Sequence, residues 1–70
     1  MPIMLITVQC QERQWRVVHP SRPDAIDFPN GAVAFDFADA MAREHHASTG
    51  GASAVRVEVQ DAAVEAVRYG

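Results

Sequence analysis

Apolar residues alternate with polar ones at both ends of this chain and recur at helical spacing between them. That change of period limits the folds open to it. From Ile3 to Gln11, Met4, Ile6, Val8 and Cys10 fall on one side and Leu5, Thr7, Gln9 and Gln11 on the other. From Gln14 to His19, Trp15, Val17 and His19 oppose Gln14, Arg16 and Val18. Each run reads as a half-buried strand. A turn at Glu12 and Arg13 sets Cys10 against Trp15, Val8 against Val17 and Ile6 against His19, so both apolar sets share one face. Glu-Arg is a weak two-residue turn signal, and a four-residue loop from Gln11 to Gln14 preserves the same register.

Pro20 and Pro23 have no amide donor and restrict the residues before them, which marks 20–24 as a connecting loop. Phe28, Pro29 and Asn30 then form a helix entrance, with the Asn30 side chain accepting from a free first-turn amide. The spacing predicts a helix from Gly31 to Ala47. Ala34, Ala38, Met41, Ala42 and His45 make its buried stripe, Phe35 and Phe37 flank it, and Asp36, Asp39 and Arg43 lie opposite. Ser48, Thr49, Gly50 and Gly51 end it.

Alternation resumes at Ala54 to Gln60, where Val55, Val57 and Val59 oppose Arg56, Glu58 and Gln60, and Ala63 to Tyr69 supplies a fourth extended run. A turn at Asp61 and Ala62 pairs Val59 with Val64, Val57 with Ala66 and Val55 with Arg68. It also sets Glu58 against Glu65, a like-charge contact that Arg56 or a bulge would relieve. The expected fold is one small α+β domain over 1–70, a two-layer β-β-α-β-β arrangement in which one helix covers one face of a mainly antiparallel sheet. Strand order is left open. The uncovered face is partly apolar, and its candidate interaction residues are Leu5, Arg16, Val18, Arg56, Val67 and Tyr69.

Composition sets the energetics of such a fold. Twelve Ala and nine Val stand beside one Leu, three Ile, three Phe, one Trp and one Tyr in 70 residues. Small side chains give a thin core, and a chain this short buries only about 60% of the surface its unfolded form exposes. Self-association would add burial. There is no Lys, and six Arg face nine acids for a net charge of -3, so the basic field that draws phosphate backbones is missing and nucleic acid is disfavoured as a partner. The apolar opening run lacks a basic lead and breaks at Gln9, so neither a signal peptide nor a membrane span is expected. One Cys cannot close an intrachain disulfide, which fits a cytoplasmic location.

Trp15 in the first hairpin, Phe28 before a capped helix, the spaced alanines 34, 38 and 42, the valine strand and the terminal Tyr69-Gly70 resemble the small bacterial domain of unknown function 2188 family. The resemblance spans nearly the whole chain. It departs at Asp61-Ala62, where that family commonly has Asp-Gly, and in the absence of Lys. It implies an architecture and no activity.

Single residues carry little chemistry. His45 and His46 point about 100° apart on a helix and cannot converge on one ion, so no metal or cofactor is expected. His19, facing Ile6, reads as sheet-end packing. Cys10 beside Val8 and Trp15 reads as a buried inert thiol and Trp15 as core. Glu58 with Glu65 is the one carboxylate pair able to divide acid and base roles, with two solvated strand residues as the plainer reading. Asp39 pairs with Arg43 one turn on. Gly50 and Gly51 precede a strand and do not make a phosphate loop. The expectation is a non-catalytic interaction module that forms a homodimer or binds another protein. The alternative is a small regulatory nucleic-acid-binding or antitoxin-like protein, which would gather Arg13, Arg16, Arg22 and Arg56 into one basic face.

Overall fold

In the computed structural model, which describes residues 3–70, the first hairpin takes the register that its alternation demands. Strand β1 (Met4–Gln11) and strand β2 (Gln14–Val18) pair antiparallel, with Cys10 opposite Trp15 and Val8 opposite Val17. Glu12 and Arg13 form the two-residue turn, and both have positive φ, 53° and 67°. Left-handed backbone at both central positions matches the right-handed twist of the strands. Without glycine it costs about 1–2 kcal/mol per residue, held here by the register of the buried strands.

A strand that the sequence pattern did not separate follows the proline loop. Ile26–Phe28 forms β3 and pairs antiparallel with β2, placing Ile26 opposite Val17 and Phe28 opposite Trp15. Three residues are too few for alternation to register, although Phe28 precedes Pro29 and is biased to extended backbone for that reason.

Helix α1 spans Gly31–Thr49. Asn30 Oδ1 accepts from the Val33 amide at 2.9 Å, and the Gly50 amide donates to the His46 carbonyl at 2.8 Å from a left-handed Gly50. The helix runs two residues past Ala47. Thr49 Oγ1 donates to the His45 carbonyl at 2.7 Å and accepts from the Gly51 amide at 3.0 Å, which gives the last turn its own closure.

Strand β4 (Ser53–Val59) lies parallel to β1, from Met4 opposite Ser53 to Cys10 opposite Val59, and β5 (Ala62–Tyr69) returns along its far side. The sheet order is β3-β2-β1-β4-β5. One parallel pair among antiparallel ones gives a mainly antiparallel sheet with a single helix on one face, the two-layer α+β architecture that the periodicities predict.

The second hairpin departs from its predicted register. Its turn is Gln60-Asp61, with Gln60 at φ 54°, so Val59 opposes Ala62 and Val57 opposes Val64. Between Arg56/Glu65 and Val55/Val67 the ladder slips by one residue, leaving Ala66 as the extra residue of a bulge. Two carboxylates therefore never face each other. Glu65 opposes Arg56 and Glu58 opposes Ala63.

The core is as shallow as composition predicts. Ile6, Val8, Val17 and Val55 meet Ala34, Ala38 and Ala42, and no aromatic ring is fully buried. Trp15, Phe28, Phe35, Phe37 and Tyr69 pack around the rim. Phe28 and Phe37 stack at 5.1 Å between centroids, tilted by 44°. Gly31 sits directly on Trp15, where a Cβ would meet indole carbons at 2.8 and 2.9 Å. Ser53 buries its hydroxyl by donating to the Ala42 carbonyl at 2.6 Å, tying β4 to the helix.

Candidate interaction surfaces

Alternation around buried Ile6, Val8, Val17 and Val55 assigns the face away from α1. Leu5, Arg16, Val18 and Arg56 stand on it as expected. Val67 and Tyr69 do not. The bulge at Ala66 reverses the parity of the end of β5, so Val67 lines up with buried Val55, and the Tyr69 hydroxyl donates to Asp39 on α1. That hydrogen bond is the chief cause that lowers the Asp39 pKa. Burial opposes it, and the hydrogen bond and charge of Arg43, whose Nη2 is 2.6 Å from the carboxylate, add to it.

This face has no second layer, yet its centre is covered. Ala54 is 0% exposed and Thr7 7%. Arg56 neighbours Thr7 and Arg16 neighbours Gln9 across the strands, and the Nε of each arginine is buried without a hydrogen-bond partner. Both side chains therefore lie along the sheet, their methylene stems screening it. Their charges are also matched locally, Arg16 to Asp27 at 3.9 Å, Arg56 to Glu58 at 3.4 Å and Arg68 to Glu65 at 3.3 Å. Arg13 lies in the β1–β2 turn and Arg22 in the proline loop, so the four arginines of the nucleic-acid alternative do not gather. Only Arg16 and Arg56 share the open face, together with Arg68.

The exposed apolar surface lies on the helix side instead. Val57, Val59 and Val64 share the face of Val55 at the hairpin end of β4 and β5. Val59 is 42% exposed and Val64 63%. The helix begins over Trp15 on the β2 half of the sheet and leaves this corner bare. Sequence reading placed these valines on the covered face. Cys10, free and half-buried, adjoins the same corner through Val59.

At the opposite end of β1, a groove of about 520 Å³ opens between Met4, the loop from His19 to Ser21, and the Met41, Glu44, His45 and Ser48 face of α1. His19 Nδ1 accepts the Ser21 amide at 3.0 Å and lies 2.7 Å from Ser21 Oγ. Burial, then the charges of Arg22 and His45, hold its pKa below the ordinary histidine value. The lone pair that a general base would use is already engaged in this turn. His46 points away from His45, and its Nδ1 donates to the Gly51 carbonyl at 3.0 Å. Among the described residues, no three of His, Cys, Asp and Glu are grouped to hold a metal, and no helix is long and apolar enough to cross a membrane.

No family model, curated protein or solved structure matches this chain.

Proposed function

We propose that this chain is a non-catalytic interaction module that pairs with a second copy of itself through the bare corner of the sheet. The exposure of Val59 and Val64 beside Val57 carries this reading. An uncovered aliphatic cluster on so small a unit is the kind of patch that protein contacts bury. The thin core, with every aromatic ring only partly buried, is the condition in which association adds most to stability. A second copy suits the corner because an isologous contact brings the same surface to itself, and these valines with Ala62 present no charge that would meet its like. The bulge at Ala66 breaks the outer ladder of β5, which favours side-chain packing over continuous strand addition. Locally matched arginines on the open face weigh against nucleic acid as the partner.

Light scattering over a concentration series tests the reading. The expected mass is twice the 7.7 kDa of the chain, and Val64→Glu returns it to one copy while the far-ultraviolet circular dichroism is kept. A wild-type mass of one chain throughout, or a Val64→Glu protein that stays dimeric, overturns it.

A further inference from the structure

We infer that the groove between the two hairpin turns is the seat for Val64 of the second copy, each chain lodging its Val64 beside Cys10 and Val59 of the other. The inference rests on the self-association reading and supplies its geometry. A cavity of about 490 Å³ opens between the Glu12-Arg13 turn of the first hairpin and Gln60 at the turn of the second, with Cys10 and Val59 in its lining. Val59 therefore belongs both to the exposed valine corner and to this groove. A body that covers the corner meets the groove at the same residue.

Shape and symmetry name the occupant. Val64 is 63% exposed, against 42% for Val59, and is the most prominent apolar side chain of the corner. It stands on β5, across β4 from the end of β1 that lines the groove. Val59, on β4, lies between the two. A two-fold axis in the plane of contact, passing by Val59 and aslant to the strands, exchanges these two sides. Each Val64 then comes over the partner's groove, and the two Val59 side chains meet on the axis. One operation fills both grooves and buries both exposed valines. Charge is matched as well, because Glu12 and Arg13 are adjacent in the lining and offset each other, leaving no net charge against an aliphatic side chain. A chain cannot seat its own Val64. Neighbouring strands lie about 4.8 Å apart, so the intervening β4 keeps Val64 about 10 Å or more from Cys10.

Two measurements on the whole chain test this arrangement. In a dimer mixed from isotope-labelled and unlabelled chains, the Val64 methyl protons should show nuclear Overhauser contacts with the Cys10 β protons across the interface. Val64→Cys treated with diamide should form a covalent dimer, the thiol introduced at 64 joining Cys10 of the other chain as diamide takes up one hydrogen from each. Within one chain that bond is out of reach, since bridged Cα atoms lie within about 7 Å. The covalent dimer should be lost when Cys10→Ser is added, and Cys10 alone should give none. Dimeric mass without the Val64–Cys10 contacts, or a Val64→Cys cross-link that persists in Cys10→Ser, overturns the seat and leaves self-association standing. A mass of one chain throughout overturns both.

Discussion

The two hairpins of this sheet are built from the same parts and behave differently. Each has a two-residue turn without glycine and a valine-rich strand. The β1–β2 hairpin lies inside the sheet, with β3 and β4 on either side and α1 above, and its register is regular. The β4–β5 hairpin ends in an edge strand, carries the bulge at Ala66 and leaves Val59 and Val64 to solvent. The difference shows that a strand held by neighbours on both sides keeps a regular register, whereas an edge strand, paired on one side alone, tolerates one extra residue.

Truncation of a side chain should break the symmetry between the hairpins most sharply. Ile6 is 0% exposed, and Ile6→Ala is expected to cost about 2–5 kcal/mol in urea unfolding. Val64→Ala at low protein concentration should stay within about 0.5 kcal/mol. Equal losses would mean that the outer hairpin is packed as tightly as the inner one.

Turn substitutions should have a smaller effect. Arg13→Gly relieves a left-handed residue in a turn of the type that favours glycine at its second position, and should raise stability by about 1 kcal/mol. Gln60→Gly acts on a hairpin that is not clamped by neighbours on both sides, and is expected to gain less. Thermal unfolding of the two variants side by side checks the ranking.

Acid should separate the feet of the hairpins by the smallest margin. His19, at the foot of the first, has a lowered pKa, so its contribution is complete above the ordinary histidine value and is lost as pH falls through and below it. Protonation removes the acceptor of the Ser21 amide. Asp39, which holds Tyr69 at the foot of the second, also has a lowered pKa. Its contribution is complete above the ordinary carboxylate value and goes only at lower pH. As pH falls, the protection of the Ser21 amide, referred to its intrinsic exchange rate at each pH, should therefore be lost before that of Tyr69. Simultaneous loss would show that the two ends open as one unit.

Most of the fold was legible because burial on one side writes a period into the chain. Strands β1, β2, β4 and β5 and the alanine stripe follow from it, and the Asn30 cap from its side-chain acceptor, whereas the three residues of β3 are too few to show a period. The order of the sheet was not legible, because pairing β1 with β4 depends on how the helix crosses and not on any local pattern. The parity of Val67 and Tyr69 was also hidden. Ala66 is small and apolar, fits either side of a strand, and so leaves no mark of the bulge. The bare corner escaped for a related reason, since Val59 and Val64 alternate as core residues do and only the reach of the helix decides that they are exposed.

The parallel pairing of β1 with β4 also orders events during synthesis. β1 is made first, but one side of its ladder finds no partner until the helix and the whole of β4 have emerged. A nascent chain that stops short of Ser53 holds Leu5 to Cys10 as a bare sheet border, the segment most exposed to wrongful pairing between neighbouring chains. The last quarter of the sequence therefore guards the first.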